Sequence, residues 1–302
     1  MLTFGLAQVR IGDWDAFTCP LELRDIVQIG DTTYCATGGG LLLYNNGNFE
    51  VYTTVDGLHR VDLLSISKDN YRNIWIGGKS PNGFVQIYNF EKNNINIFDY
   101  GLTEITEFYI GDSIAFATFI DGQDLGLIKW VYSDSGWSYR DIYRNFPVVI
   151  ESISGLEIIN NTVFLATNNG LLKANIRGNL KDPNSWTLVS NDFDGPIGVM
   201  CQTNNGFAFT LNESIYKVFY NNGAIQYEQL GIQMPVNFTD MLFDEEEFVW
   251  GIHNRNVYSQ KNDFVPITTG KTFYTISSDN QGNIIIGSEL GLIVIDKITH
   301  EK

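Results

Sequence analysis

One unit returns seven times along this chain, at spacings of roughly 35–45 residues, and a repeat of that length limits the possible folds more than any other feature. Its clearest part is two short apolar strands around a turn. It reads TTYCATGGGLLLY at Thr32–Tyr44, RNIWIGGKSPNGFVQIY at Arg72–Tyr88 and DSIAFATFIDGQDLGLIKW at Asp112–Trp130. It returns as NTVFLATNNGLLKA at Asn161–Ala174, NGFAFTLNESIYKV at Asn205–Val218, EFVWGIHNRNVYS at Glu247–Ser259 and GNIIIGSELGLIVID at Gly282–Asp296. Another apolar strand precedes each copy, as in RDIVQIG and VDLLSISKD, and six copies are followed by a more polar, aromatic strand such as NFEVYTT or SWTLVS. The unit is therefore a four-stranded meander joined by NG, DG and NN turns.

Seven such units predict an all-β protein, a seven-bladed β-propeller of four-stranded antiparallel blades spanning residues 9–297. The apolar first strand of each blade is expected to line a central channel and the mixed fourth strand to face solvent. The seventh unit lacks a fourth strand, while the N-terminus carries a spare one, VRIGDWDAFT (Val9–Thr18). The economical expectation is that this segment completes the last blade. Trp14 then stands where other units carry Phe98, Trp186 or Tyr227, and no sheet edge is left open between the ends of the ring.

Composition narrows the function. The formal net charge is −16, with no block of Lys and Arg, so a phosphate backbone or an anionic membrane surface would be repelled. No apolar run has the length of a membrane helix, so an integral membrane protein is not expected. Residues 1–8 end in Gly5-Leu6-Ala7-Gln8, which fits the stump of a clipped signal peptide or else a frayed terminus. The three cysteines, Cys19, Cys35 and Cys201, have neither metal-site nor disulfide-scaffold spacing, and a Cys19–Cys35 bridge is not expected. The three histidines, His59, His253 and His300, are scattered, so no metal site and no cofactor is expected.

In a propeller, the loops joining strands two and three share one face with the loops between blades, around the channel mouth. A rigid scaffold that presents loops in this way is suited to recognition. The candidate ligand-binding residues are Lys79, Asp121, Asp124, Asn168, Glu213, His253, Arg255 and Glu289 in the former loops, and His59 and Arg60 in the latter. His253 and Arg255 are the most suggestive pair, because two-residue spacing on an extended segment places both side chains on one face. The acidic run FDEEEF (Phe243–Phe248) falls in a one-to-two turn on the opposite face and reads as a solvated turn.

The segments FEVYTTVDGLHRVDLLSISKDNYRNIWIGG (Phe49–Gly78) and DNQGNIIIGSELGLIVID (Asp279–Asp296) resemble the two-component-regulator propeller repeat. The first blade is also similar to the N-terminal propeller of PorZ-type proteins of the type IX secretion system. Blades five and six depart from the repeat, since FAFTLNES and VWGIHNRN lack its "GL". The resemblance implies a non-enzymatic, exported recognition or scaffold propeller in the periplasm or at the cell surface. Its implied partners are proteins of the secretion or sorting machinery, or a glycan or lipopolysaccharide. PorZ-type proteins continue into a second propeller and a β-domain, so residues 298–302 are expected to be a tail leading into further sequence. One alternative is an oligosaccharide-sensing extracellular domain of a hybrid two-component regulator. Another is a streptogramin-lyase-like enzyme with His253 as general base and Glu213 or Glu289 as its partner.

Overall fold

The structure, a computed structural model, describes residues 18–91, 94–268 and 270–296. Seven antiparallel sheets follow one another along the chain. Blade one holds β1 (Leu23–Ile29), β2 (Thr32–Thr37), β3 (Gly40–Asn45) and β4 (Asn48–Tyr52). Blade two holds β5 (Leu63–Lys68), β6 (Ile74–Gly78), β7 (Gly83–Asn89) and β8 (Asn94–Leu102). Blade three holds β9 (Glu104–Ile110), β10 (Ile114–Asp121), β11 (Asp124–Ser133) and β12 (Gly136–Tyr143). Blade four holds β13 (Ile153–Ile159), β14 (Thr162–Thr167), β15 (Gly170–Asn175) and β16 (Trp186–Leu188). Blade five holds β17 (Met200–Thr203), β18 (Gly206–Leu211), β19 (Ser214–Asn221) and β20 (Ala224–Gln233). Blade six holds β21 (Asp240–Phe243), β22 (Val249–His253), β23 (Asn256–Ser259) and β24 (Ile267–Thr268). Blade seven shows β25 (Phe273–Ser278), β26 (Ile284–Ser288) and β27 (Gly291–Ile295).

Each first strand lies against the first strand of the next blade, and β25 lies against β1, so the ring is closed. This is the expected seven-bladed propeller. The expected fourth strand of blade seven, with Trp14, lies outside the described residues, as do the signal stump, His300 and the tail.

The core is divided by blade junction rather than by blade. One cluster joins Ala36 and Leu41 of blade one to Leu63, Ile66 and Phe84 of blade two. The next joins Trp75, Val85 and Ile87 of blade two to Ile105, Phe119 and Trp130 of blade three. Similar clusters fill every junction around to the last, where Leu23, Ile26, Cys35 and Leu42 of blade one meet Ile285 of blade seven. Strands buried on both faces explain the runs IWIGG and GFVQIYN, which are buried throughout without alternation and apolar apart from Gln86 and Asn89.

The repeated turn chemistry has a structural cause. In blades one, four and seven a hydroxyl closes the second hairpin. Thr37, Thr167 and Ser288 donate to the carbonyls of Gly40, Gly170 and Gly291, each at 2.7 Å. Those glycines have φ values of +103 to +127°, a region where a Cβ is strained. The DGL segment is fastened in another way. Thr53 and Asp56 cap a short 3-10 turn, Gly57 adopts φ +104° and Leu58 is buried. Fully buried Gln86 then holds the segment, accepting from His59 N at 2.8 Å and donating to Gly57 O at 2.9 Å.

Candidate functional site

The strand order places the two-to-three loops and the blade-to-blade loops on one face. There the predicted residues form separate small groups. His59 and Arg60 follow the DGL segment and meet over Asp99 of β8. Arg60 Nη2 stands 2.9 Å from Asp99 Oδ2 and His59 Nε2 stands 3.9 Å from it. Both pack on Phe84, Arg60 with its guanidinium 5.6 Å from the ring centre. Asp99 is held below the usual carboxylate range by the Gly101 N–H and by Arg60.

Asp121 and Asp124, at the tip of the β10–β11 hairpin, converge on a residue absent from the predicted set. Arg144 stands 2.8 Å from Asp121 and 3.8 Å from Asp124, with its guanidinium 4.7 Å from the centre of the Phe119 ring. A cleft of about 350 Å³ opens beside them, lined by Asp124, Arg144, Phe146 and Val148 among others. Val149 on its rim is 75% exposed.

Asn168 is engaged by its own loop's neighbours. Its Oδ1 accepts from the backbone N–H groups of Glu151 and Ser152 at 2.8 and 3.2 Å. Glu289 likewise accepts from Thr272 N at 3.1 Å. Glu213 lies at φ +62° and receives Gln233 Nε2 at 3.5 Å. Lys79 and Arg255 make no side-chain hydrogen bond or ion pair among the described residues.

The premise for pairing His253 with Arg255 does not hold. His253 ends β22 and pairs with Asn256, so Asn254 and Arg255 are the two-residue turn between them. Asn254 has φ +54°. A left-handed residue between them interrupts the extended run on which the same-face argument depends. The His253 ring contacts Asn254 instead, with Nε2 2.7 Å from Nδ2, and its Nδ1 is buried without a partner.

The channel wall holds chemistry that the sequence reading passed over. Four carboxylates stand on first strands: Asp25 on β1, Glu107 on β9, Glu157 on β13 and Asp240 on β21. Each is half-buried and crowded by protein. Burial raises Asp25 to about 7, against two backbone donors, Ile26 N and Ile66 N, each at 2.8 Å. Asp240 is raised to about 6 in the same arrangement, accepting from Met241 N at 2.8 Å and Ile276 N at 2.9 Å. Glu107 rises to about 8 through burial and the nearby Glu157 charge, and Glu157 to about 8 through burial. Each aspartate ties its strand to the first strand of the following blade. Among the described residues no group of His, Cys, Asp and Glu could hold a metal ion, and the cysteines are unbridged, Cys19 exposed and Cys35 buried.

The acidic run on the opposite face is not simply a solvated turn. Asp244 accepts from Glu246 N and Phe248 N at 3.0 Å each and from the Trp250 indole at 3.1 Å, and pairs with Lys261 at 3.0 Å. Asp69 plays this part in blade two. It takes Tyr71 N at 2.8 Å, Asn73 N at 2.9 Å, Asn73 Nδ2 at 2.7 Å and the indoles of Trp75 and Trp137 at 3.2 and 2.7 Å. The recurrence of Asp four residues before Asn or Phe and six before a large apolar residue, at Asp69, Asp244 and Asp279, was the available signal.

No protein-family model and no curated protein sequence matches the chain. Solved structures with the same fold exist at low identity. PorZ, described as an essential bacterial surface component of the type IX secretion system of Porphyromonas gingivalis, is 14% identical with a TM-score of 0.66, over 94% of this chain and 38% of that one. A protein described as the extracellular domain of a hybrid two-component system of B. thetaiotaomicron is 12% identical with a TM-score of 0.66, over 91% of this chain and 40% of that one. A streptogramin B lyase is 12% identical with a TM-score of 0.66, over 90% of this chain and 92% of that one. The chain thus spans well under half of the first two proteins, and the likeness concerns the fold. Sensor, surface-component and enzyme neighbours share it. No helix among the described residues is long and apolar enough to cross a membrane.

Proposed function

We propose that this chain is a non-enzymatic recognition propeller acting in the periplasm or at the cell surface, as a PorZ-like component of a secretion or sorting machinery. The carrying observation is the state of the mouth face. Most of its candidate acids and bases are engaged by neighbouring protein groups, whereas Lys79 and Arg255 make no side-chain hydrogen bond or ion pair among the described residues. A general base needs a reacting group within hydrogen-bond reach and an orienting partner, and among the described residues the His253 ring is hydrogen-bonded only to the amide of Asn254. Although the net charge of −16 opposes an extended anionic surface, a cation without an internal partner can pair at close range with a single anionic group, such as a glycan phosphate or a partner carboxylate.

The test is binding of the purified chain to immobilised lipopolysaccharide and acidic glycans, beside a Lys79→Ala/Arg255→Ala variant. Binding that the variant loses supports the reading. Binding that survives in the variant places the ligand elsewhere. Turnover that His253→Ala abolishes would favour the lyase reading instead. The sensor reading is favoured by the hybrid two-component neighbour, and the gene beyond Lys302 separates it: a membrane helix and kinase would identify a sensor.

A further inference from the structure

On the face opposite the mouth, the junction of blades two and three and that of blades seven and one are built on the same frame. Asp69-Asn70-Tyr71-Arg72-Asn73-Ile74-Trp75 corresponds position by position to Asp279-Asn280-Gln281-Gly282-Asn283-Ile284-Ile285. Asp69 N donates to Asn73 O at 3.1 Å, and Asp279 N to Asn283 O at 3.0 Å. Arg72 and Gly282 share φ values of +65 and +79°. Asn70 and Asn280 each bond across to the first turn of the following blade, at Asp112 and Gly30. That blade contributes Tyr132 paired with Trp137 in one case and Tyr44 paired with Phe49 in the other, each flanking a two-residue turn.

The two frames are filled differently. Between blades two and three, Tyr71 stacks on Tyr132 at 3.7 Å, Trp137 packs edge-on against Trp75 at 5.1 Å, and both indoles donate to Asp69 Oδ2. Between blades seven and one, Gln281 replaces Tyr71, Ile285 replaces Trp75 and Phe49 replaces Trp137. Phe49 turns outward and is 59% exposed. A cleft of about 370 Å³ remains. Asp279 Oδ2 receives only Asn283 Nδ2, at 2.9 Å, among the described residues. It keeps the acceptor capacity that Asp69 gives to two indoles.

We propose that this cleft is a binding site for a planar aromatic ring bearing an N–H donor, an indole, which takes the place Trp137 holds in blade three. Ile285 and Val294 give it an apolar wall, Tyr44 a flanking ring and Asp279 its acceptor. Asp31 and Asp279 line the cleft without any Lys or Arg, although Lys68 bonds the Gln28 carbonyl beside it, so a neutral or cationic group is favoured over an anion. The site lies on the other face from the mouth loops, and its standing does not depend on what they bind.

The experiment is ligand-observed NMR with N-acetyltryptophanamide, against the wild-type chain and its Phe49→Trp, Gln281→Tyr and Trp14→Phe variants, with methyl glucoside as a second probe. Thermal melting of each variant checks folding. The expected result is saturation transfer to the indole in wild type, at least tenfold weaker binding in folded Phe49→Trp and weaker binding in Gln281→Tyr, because each refills the space from within. Four results overturn the proposal: no indole binding to wild type; equal binding to wild type and both refilled variants; binding of methyl glucoside in preference to the indole, which would make this a saccharide site; or binding only to Trp14→Phe, which would mean that the chain's own indole fills the cleft.

Discussion

Asp69 carries a contact set made entirely of donors: two backbone N–H groups, an amide and two indoles. Asp69→Asn keeps the shape but turns an NH2 group toward indole donors, so at least one buried N–H loses its acceptor. A loss of about 2–4 kcal/mol in denaturant unfolding is expected. Asp279→Asn should cost less, because Asp279 serves fewer donors; equal losses would show that the indole bonds contribute little. Sequence reading missed Asp69 and Gln86 for one reason. Their roles depend on residues far along the chain, Trp137 being 68 positions from Asp69 and Gly57 29 from Gln86. The pairing of His253 and Arg255 failed on a local matter, the left-handed Asn254, which strand periodicity alone does not reveal. Polarity found the mouth loops but could not tell which charges would be consumed by neighbours. Arg144, the partner of two predicted aspartates, went unread for that reason.

At the scale of elements, the first strands do two jobs: they line the channel and join blade to blade. Asp25, Asp240, Glu107 and Glu157 are raised to between about 6 and about 8. In the unfolded chain such groups titrate near pH 4. Between about pH 4 and pH 8 the folded chain therefore binds more protons than the unfolded one, so stability is fullest at the acidic end and declines as pH rises through the folded values. A melting temperature several degrees higher at pH 5.5 than at pH 8.5 is expected, with a smaller difference in Glu107→Gln/Glu157→Gln. A melting temperature that rises with pH over this range would contradict the raised values. The strands themselves were legible, because hairpin turns and apolar runs are local signals. What the channel-facing carboxylates do was not, because it depends on a ring in which each strand meets the next blade.

For the whole molecule, the core is a cycle of seven junction clusters. Between blades two and three the cluster holds eleven buried residues, whereas between blades seven and one the described residues supply five. Less buried apolar surface means a lower cost of local opening. Native-state hydrogen exchange should therefore be faster in β1 and β25–β27 than in β6, β7, β10 and β11. Protection that is uniform around the ring, or lowest elsewhere, would show that this junction draws support from contacts other than those described. The seven-fold count was legible because each blade repeats its turns, whereas the difference between these two junctions among the described residues goes with substitutions such as Phe49 and Ile285 that leave the repeat pattern intact.

The crowding of Trp75, Trp130 and Trp137, with ring centres 5.1–5.4 Å apart around Trp75, has an optical consequence. Three of the six indoles in the chain share one fixed, asymmetric environment at a single junction. Their transitions couple to one another, so near-ultraviolet circular dichroism and intrinsic fluorescence report chiefly on the seam between blades two and three. The chain thus contains a spectroscopic gauge of one junction, and a loss of that signal need not coincide with the opening of the ring on its other side.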